Sequence, residues 1–335
     1  MSVMDGAFAG CSAAAWSTCD EKHLFARNFD HTGMAEETGV MYIPRGTVYA
    51  ASEGGLERRS KYSAVGMGIK AGEGLYAFYD AINEQGLMGA QLYYRGFAHY
   101  SKGVGRSNDI QPPLLVHHLL SCCSSVDEAV FLLKNEITVV DTPLMGAAAP
   151  LHWMFSDRQG KTVVAEPDKG GISVYTDTAG VMTNSPPYPW HRLNLLNYVG
   201  IDRIDRGSAE FGEERIEQCF SGSGAMGLPG DWSSPSRFVR LASMLKYAKK
   251  GRNETQGTAY FMRLMNNVAF PLGLVQVTDK ECLSDGAPPL DYTVYTSVMC
   301  AESLKYYWNT YENQSLRMIE LTALKDADGV RIYPA

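Results

Sequence analysis

Residues 11–30 read CSAAAWSTCDEKHLFARNFD, two short apolar segments separated by polar residues. The segments CSAAAW and HLFARNFD have the length and composition of strands, and the polar residues between them are typical of a turn. We therefore predict a β-hairpin over this stretch. Its second strand would return beside Cys11 and bring Arg27 and Asp30 close to that cysteine.

The rest of the chain repeats this pattern of short strands joined by tight turns. Hairpins are predicted at 76–94, turning at Asn83–Gly86, and at 151–167, turning at Asp157–Gly160. Helical patterns fall in two pairs, and the chain closes with three strands at 291–322. The helical segments are 112–123, 124–136 (where Ser125 and Glu128 have capping-box spacing), 234–250 and 254–268.

The order strands, helices, strands, helices, strands predicts an α+β fold. Hairpins dominate and strand–helix alternation is absent, which favours largely antiparallel sheets over a doubly wound parallel sheet. Two such sheets stacked between two helical layers would form a four-layer αββα sandwich. We find no linker, so we expect a single domain over residues 11–335, preceded by a leader at residues 1–10.

Composition excludes several classes of protein. The 335 residues are 45% hydrophobic and 20% charged, with a net charge of −7 and no extended basic patch, so we expect no nucleic-acid partner. No apolar run approaches the ~18 residues of a membrane span. Seven cysteines, an odd number, exclude a fully paired disulfide framework and favour reduced thiols in the cytoplasm.

No cofactor or metal is predicted. The histidines are scattered, and His117 and His118, the adjacent pair, would not share a helix face. The segment GSGAMG at 222–227 matches a dinucleotide-binding fingerprint, but a polar segment precedes it and Pro229 follows it, where the fingerprint needs a strand and a helix.

Cys11 admits three interpretations: a lipid-attachment cysteine, a buried strand residue or a nucleophile. The ten residues before it contain no Lys or Arg and include Asp5, which is unlike a signal peptide. Arg27 favours the nucleophile, because a cation beside a thiol lowers its pKa. Asp30 could hold a free α-amine, which at a pKa of about 8 can act as base once the Gly10–Cys11 bond is cut. Because Arg27 and Asp30 are three residues apart, we expect the strand to bend or to end before Asp30.

The chain resembles the choloylglycine hydrolases of the N-terminal-nucleophile hydrolase superfamily, which include penicillin V acylases and conjugated bile salt hydrolases. The resemblance covers the chain from Cys11 to the closing strands and rests on several separated motifs in order. These are LFARNFD (24–30), NEQGLMGAQLYY (83–94), PLHW (150–153), EPDKGGI (166–172), GVMTNSPPYPWH (180–191), GLPGDWSSPSRFVR (227–240) and YTSVMC (295–300).

The resemblance implies the αββα fold and a cysteine amidase. Cys11 would supply the nucleophile and its amine the base, with Arg27 beside the thiol and Asp30 on the amine. Two further residues would form the oxyanion hole, Asn184 through its side-chain amide and Tyr93 through its backbone N–H. Arg237 would add positive charge near the sulfur, although pairing with Asp231 is an alternative.

The resemblance leaves the substrate open. Bile salt hydrolases usually have Asn where this chain has Tyr93, and a tyrosine offers an aromatic face to a phenyl ring. We therefore favour the penicillin V acylase type, which releases phenoxyacetate, over a conjugated bile salt hydrolase, with an acyl-homoserine lactone acylase as a further alternative. Candidate substrate-pocket residues are Tyr93, Met34 in the loop after Asp30, and Tyr79 and Ala81, which we place on one strand face. The resemblance also implies a homotetramer.

Overall fold

The predicted hairpin at 11–30 is present and forms the centre of one sheet. Strand β1 (Cys11–Ser17) pairs antiparallel with β2 (His23–His31), and Cys11 lies opposite Phe29. The structure is a computed structural model that describes residues 10–146, 148–277, 289–324 and 327–335. Residues 1–9 of the expected leader therefore lie outside the described residues, as does Cys282.

Strands and helices are numbered in chain order across the described ranges. The remaining strands are β3 (Gly39–Ile43), β4 (Val48–Ala50), β5 (Glu57–Arg59), β6 (Ala64–Gly72), β7 (Leu75–Asn83), β8 (Met88–Tyr93), β9 (Asp109–Ile110), β10 (Thr138–Val139), β11 (Leu151–Ser156), β12 (Thr162–Asp168), β13 (Gly171–Tyr175), β14 (Val181–Met182), β15 (Ala209–Phe211), β16 (Glu214–Ile216), β17 (Val275–Gln276), β18 (Leu290–Cys300), β19 (Lys305–Thr310), β20 (Arg317–Glu320) and β21 (Arg331–Pro334). The helices are α1 (Leu115–Cys122), α2 (Val126–Asn135), α3 (Tyr188–Asn194), α4 (Ser234–Tyr247) and α5 (Glu254–Asn266).

Two antiparallel sheets dominate the described chain. The first sheet has the order β14-β1-β2-β18-β19-β20, with β17 also paired to β18. The second sheet has the order β13-β12-β11-β8-β7-β6-β3-β21 and contains both later hairpins, β7–β8 and β11–β12. The predicted hairpins at 76–94 and 151–167 are thus confirmed.

The two sheets stack face to face, and a helical pair covers each outer face. Helices α4 and α5 pack on the first sheet through residues such as Phe238 and Phe261. Helices α1 and α2 cover the second sheet, where Leu119 packs in one cluster with Phe78. Every residue of β7 is buried, as expected for a strand covered on both sides. The fold is the predicted four-layer αββα sandwich.

The predicted helices are present, and one further helix was not predicted. Ser125 caps α2 and accepts a hydrogen bond from the backbone N–H of Glu128, as its spacing indicated. Helix α3 begins directly after Pro187 and has no side-chain cap, so it carries little local sequence signal. The GSGAMG segment forms a short 3₁₀ turn, in which Ser223 and Gly224 are buried, rather than a strand–helix junction.

A β-bulge in β7 overturns the prediction that Tyr79 and Ala81 share a strand face. The register against β6 shifts between Met67, opposite Asp80, and Gly68, opposite Phe78, which leaves Tyr79 as the extra residue. Tyr79 and Asp80 therefore both point between the sheets. Ala81 instead packs in the core beneath helix α1, on the opposite face from the cavity that Tyr79 lines.

Candidate active site

Cys11, the first residue of β1, is buried between the two sheets, and three of its expected partners surround it. Its Sγ lies 3.3 Å from Nη2 of Arg27. Its backbone N–H donates to Oδ1 of Asn184 at 2.8 Å, and its carbonyl oxygen accepts a hydrogen bond from Nη1 of Arg237. Side chains from β2, the segment after β14 and helix α4 thus converge on one residue.

Arg27 and Asp30 lie on opposite faces of β2, and the strand includes both. Arg27 faces the second sheet, where it reaches the thiol and the carbonyl oxygen of Gln91. Asp30 faces the helical layer, 3.9 Å from Nη1 of Arg237. The strand continues through Asp30 to His31, so the expectation that it ends before Asp30 is wrong. Both residues approach Cys11 because it begins its strand and is accessible from either face.

The surroundings of Cys11 favour the neutral thiol over the thiolate. Burial raises the pKa of Cys11, while the charge of Arg27 lowers it and the charge of Asp30 raises it again. The sequence argument expected Arg27 to favour the thiolate. In this chain, in which Gly10 precedes Cys11, the cost of burying the charge outweighs that attraction.

Asp30 is a buried carboxyl group with one unsatisfied oxygen. Oδ1 accepts a hydrogen bond from the Thr293 hydroxyl, but Oδ2 has no hydrogen-bond partner. Burial raises the pKa of Asp30 to about 6, against the opposing charges of Arg237 and Arg27. Neighbouring Asp291 is also buried, with its pKa raised to about 7 by burial and by Asp30. A cation at Oδ2 would satisfy both the hydrogen bond and the charge.

Asp80, a residue that the sequence argument missed, holds Arg27 in place. The bulge turns the Asp80 carboxylate toward the first sheet, where it lies 3.1 Å from Nη1 of Arg27. It also accepts hydrogen bonds from the hydroxyls of Tyr295, Ser297 and Tyr306 at 2.5 to 2.8 Å. This buried contact links the two sheets directly behind the thiol.

Asn184 is fixed by hydrogen bonds at both ends of its side chain. Its Nδ2 donates to the carbonyl oxygen of Tyr93 at 2.9 Å, and its Oδ1 accepts from Nη2 of Arg237 at 2.7 Å. Its own carbonyl oxygen accepts from Ser234 Oγ at 2.8 Å and lies 2.9 Å from Nε2 of His191. The amide NH₂ has two hydrogens, so one contact with Tyr93 leaves a second hydrogen for a substrate oxygen.

A buried polar network supports the segment that carries Asn184. The carboxylate of Glu166 accepts the backbone N–H of Tyr188 at 2.9 Å and lies 3.2 Å from Nδ1 of His152. Tyr94 donates its hydroxyl to the same carboxylate and stacks on His152. These residues come from four of the quoted motifs, so the network joins segments that are distant along the chain. A buried ionisable residue needs a hydrogen-bonding or charged partner. An ionisable residue within an apolar strand segment is therefore the sequence signal that could have identified this network.

Arg237 lies against the backbone of Cys11 and does not pair with Asp231. Its Nε donates to the Trp232 carbonyl oxygen, and its other nitrogens reach Cys11, Ser12 and Asn184. Asp231 instead accepts hydrogen bonds from serines at the start of α4, and their donation lowers its pKa to about 2.

An aromatic cavity lies between the sheets on the Arg27 side of Cys11. Phe29 forms its centre, with its ring stacked on Tyr79 at 5.0 Å and beneath the guanidinium of Arg27 at 4.5 Å. Met34 is half-buried against the inner core and is not among the residues that line the cavity. The lining residues are Arg27, Phe29, His31, Tyr79, Gln91, Tyr93, Ala149 and Leu151.

An αββα sandwich with a buried cysteine at the start of a central strand, beside an arginine and an aspartate, defines the class of N-terminal-nucleophile hydrolases. Comparison with known proteins then gives the family. The profile of the linear amide C–N hydrolases, choloylglycine hydrolase family, matches residues 11–329. The chain belongs to this family and is a hydrolase of linear amide C–N bonds.

Individual relatives agree with this assignment. The chain is 33% identical to a bile salt hydrolase/transferase of Clostridium perfringens, over 96% of this chain and 95% of that protein. The crystal structure of a single-residue variant of the conjugated bile acid hydrolase from the same species has a TM-score of 0.87 at 32% identity, covering 97% of each chain. A penicillin V acylase from Agrobacterium tumefaciens, at 21% identity and a TM-score of 0.75, covering 96% and 90%, shows the fold alone.

The predicted amidase class is confirmed, and its substrates are small-molecule amides. The bile salt hydrolases, which the sequence argument held as the alternative branch, are the named relatives. In the described part of the chain, no group of three or more His, Cys, Asp or Glu side chains could hold a metal ion. None of the described helices is long and apolar enough to cross a membrane.

Proposed function

We propose that the mature enzyme begins at Cys11 and hydrolyses the amide bond of conjugated bile salts. The observation that carries the catalytic part is the position of Cys11 at the first residue of β1, with its thiol 3.3 Å from Arg27 and its backbone nitrogen 2.8 Å from Asn184. The substrate part is supported by relatives named bile salt hydrolases, at 33% identity over nearly the whole chain.

Cleavage of the Gly10–Cys11 bond supplies the base that the buried thiol lacks. The new α-amine would take Oδ2 of Asp30 as its counter-charge, because that oxygen has no hydrogen-bond partner and Asp30 lies against Gly10, the residue bonded to Cys11. An α-amine with a pKa of about 8 is largely protonated at neutral pH but deprotonates readily. In its neutral form it accepts the thiol proton, and Arg27 stabilises the resulting thiolate.

Hydrolysis then follows the two steps of covalent catalysis. The thiolate attacks the substrate carbonyl carbon, and the second Nδ2 hydrogen of Asn184 and the backbone N–H of Tyr93 stabilise the oxyanion. The amine of Cys11 passes its proton to the departing amino group, which leaves a thioester on Sγ. Water, deprotonated by the same amine, hydrolyses the thioester and releases the free acid.

Arg237 orients the catalytic groups rather than contacting the sulfur. Its hydrogen bonds to the Cys11 carbonyl and to Oδ1 of Asn184 fix the nucleophile relative to the oxyanion donor. Its charge lies 3.9 Å from Asp30 and favours the ionised carboxylate that the α-amine requires.

Penicillin V is the second candidate substrate. The rings of Tyr79, Phe29 and Tyr93 surround the cavity on the thiol side, and they offer faces on which a phenoxy ring could stack. A direct comparison of kcat/KM for glycocholate, taurocholate and penicillin V decides between the two branches. We expect bile salts to be preferred at least tenfold, and a tenfold preference for penicillin V would reverse the assignment.

The processing step has its own test. Intact mass of the purified active enzyme should correspond to a chain that begins at Cys11, and a Cys11→Ala variant should keep its leader and lose all amidase activity. An active enzyme with the full-length mass would refute the α-amine mechanism. We also propose a cytoplasmic homotetramer, which light scattering and cell fractionation would check.

A further inference from the structure

Gly10, the residue before the candidate nucleophile, is enclosed by two side chains. A Cβ atom built on Gly10 would lie 2.5 Å from Cζ and 2.8 Å from Cε2 of Phe270, and 3.3 Å from Cβ of Asp30. Atoms of this kind do not approach within 3.0 Å, so a larger residue needs Phe270 to move. The space around Gly10 therefore favours a glycine at this position.

Phe270 is held firmly in this position. Its backbone N–H donates to Thr293 Oγ1 at 2.7 Å, and its carbonyl oxygen accepts the Thr293 N–H at 3.0 Å. The ring is buried and lies under the guanidinium of Arg237, 5.0 Å from the ring centroid. Moving the ring away from Gly10 would break this cation–π contact, which opposes the displacement that a larger residue needs.

Both sides of the Gly10–Cys11 peptide bond are hydrogen-bonded. The carbonyl oxygen of Gly10 accepts the backbone N–H of Asp30 at 3.0 Å. The nitrogen of Cys11 donates to Oδ1 of Asn184 at 2.8 Å. A donor on the carbonyl oxygen stabilises negative charge that develops when the carbonyl carbon is attacked.

We propose that Phe270 and Asp30 form a glycine seat that selects the residue cleaved from Cys11, and that the backbone N–H of Asp30 is the oxyanion donor for this cleavage. The inference rests on the proposed function, since it concerns the step that exposes the α-amine. It gives Asp30 two roles through different atoms: the backbone N–H acts in maturation, and the carboxylate holds the amine afterwards.

The chemistry of the step balances with water as the only co-reactant. The Cys11 sulfur attacks the Gly10 carbonyl carbon, so a C–S bond forms and the C–N bond to Cys11 breaks. The thiol proton passes to the departing nitrogen, which becomes the α-amine. Water then hydrolyses the thioester, giving the leader a carboxylate and returning a proton to the sulfur. Asp30 N–H stays on the same oxygen through the first step.

Substitutions at Gly10 test the seat through the rate of leader removal, followed by intact mass. Gly10→Ala should lengthen the half-life of the uncleaved chain by about 10²-fold, because a displacement near 1 Å of the reacting carbonyl costs that much. Gly10→Val should be slower still. Gly33→Ala is the matched control, since a Cβ on Gly33 meets no atom within 4 Å and processing should keep its normal rate.

The double variant Gly10→Ala with Phe270→Ala is the decisive measurement, because removal of the ring should restore cleavage. Normal processing of Gly10→Ala, or a folded double variant that keeps its leader, would overturn the seat. Thermal melting identifies any variant that does not fold. The proposed function fails separately, if the wild type hydrolyses substrate with its leader attached.

Asp30→Asn separates the two roles of this residue. It keeps the backbone N–H, so the chain should mature within about tenfold of the wild-type rate, while amidase turnover should fall much further because the carboxylate is gone. A folded Asp30→Asn chain that retains its leader would show that the carboxylate, not the N–H, serves maturation.

Discussion

Replacing Asp80 by Asn tests two contributions of this residue. One is its role in holding Arg27, which affects catalysis, and the other is its contribution to the stability of the fold. The carboxylate accepts hydrogen bonds from Arg27, Tyr295, Ser297 and Tyr306 and is fully buried. An asparagine can keep its carbonyl oxygen toward Arg27 and turn its NH₂ toward the hydroxyls of Ser297 and Tyr306, which can reverse and accept. What is lost is the charge that compensates a buried guanidinium, and breaking a buried ion pair costs about 3 to 5 kcal/mol.

We therefore expect Asp80→Asn to lower the free energy of unfolding by about 3 kcal/mol, at the low end because hydrogen bonds persist. The value should come from urea unfolding of the mature enzyme, with the slope against urea unchanged. Arg27 loses its anchor 3.3 Å from the thiol, so kcat/KM should also fall by at least about tenfold.

Asp157→Asn is the matched control. Asp157 is equally buried and accepts the backbone N–H groups of Val126, Gln159 and Lys161 at the β11–β12 turn, far along the chain from Arg27. This variant should lose stability and keep its kcat/KM. If Asp80→Asn keeps full activity, or if the two variants lose activity equally, Asp80 does not act through Arg27.

Three further predictions concern the same region. Asn184→Ala should lower kcat by about 10²–10³-fold, measured under saturating substrate, and a loss below tenfold would contradict its role as oxyanion donor. In full-length Cys11→Ala, the raised pKa values of Asp30 and Asp291 mean that these two carboxyls bind more protons in the folded than in the unfolded state, so their contribution to stability is present near pH 4 and is lost toward pH 7, by up to about 1.4 kcal/mol per pH unit per carboxyl. The buried His117, His118 and His191, whose pKa values are lowered by burial, contribute in the opposite direction, so the carboxyl contribution is measured as a difference between variants. Urea unfolding of Cys11→Ala with and without Asp291→Asn isolates the contribution of Asp291: the stability of the chain with Asp291 relative to the chain with Asn should fall from pH 4 to pH 7, and a rise in this difference would contradict the buried-carboxyl argument. Tyr93→Asn should shift the ratio of kcat/KM toward glycocholate over penicillin V by about tenfold, because it removes one aromatic face, and an unchanged ratio would exclude a contact of the ring with the acyl group.

The local sequence pattern predicted the contacts between site residues that lie in the same β-hairpin. The turn at residues 18–22 is short, so the register of β1 and β2 follows from sequence, and Arg27 reaches Cys11 as expected. Asn184 and Arg237 came from the family resemblance, because nothing local indicates that segments over 170 residues away meet the first strand.

The prediction that Ala81 shares a strand face with Tyr79 was wrong for a physical reason that can be recognised in the sequence. Gly66 and Gly68 lie in β6, where a Cβ would come within 2.5 Å of the backbone of β7. Two glycines in a strand interior indicate close backbone approach or a bulge. The two glycines therefore predict the register shift at Tyr79. They also predict that Asp80 points between the sheets, which strict alternation of side chains would not.

The start of a strand suits this chemistry because it gives a residue two accessible sides. Within a strand, alternation would let Cys11 contact groups on only one face of the sheet. At the first position, the thiol faces Arg27, while the backbone nitrogen donates to the side chain of Asn184. Asp30 lies on the other face of β2, against Gly10. The nucleophile and its proposed base therefore belong to one residue yet are controlled from opposite faces of β2. Shifting the cysteine by one position would turn its thiol to the other face of β1, away from Arg27, and would leave its nitrogen in the sheet. Exchanging Cys11 and Ser12 should accordingly abolish leader removal even though both residue types remain adjacent, and intact mass would measure the outcome.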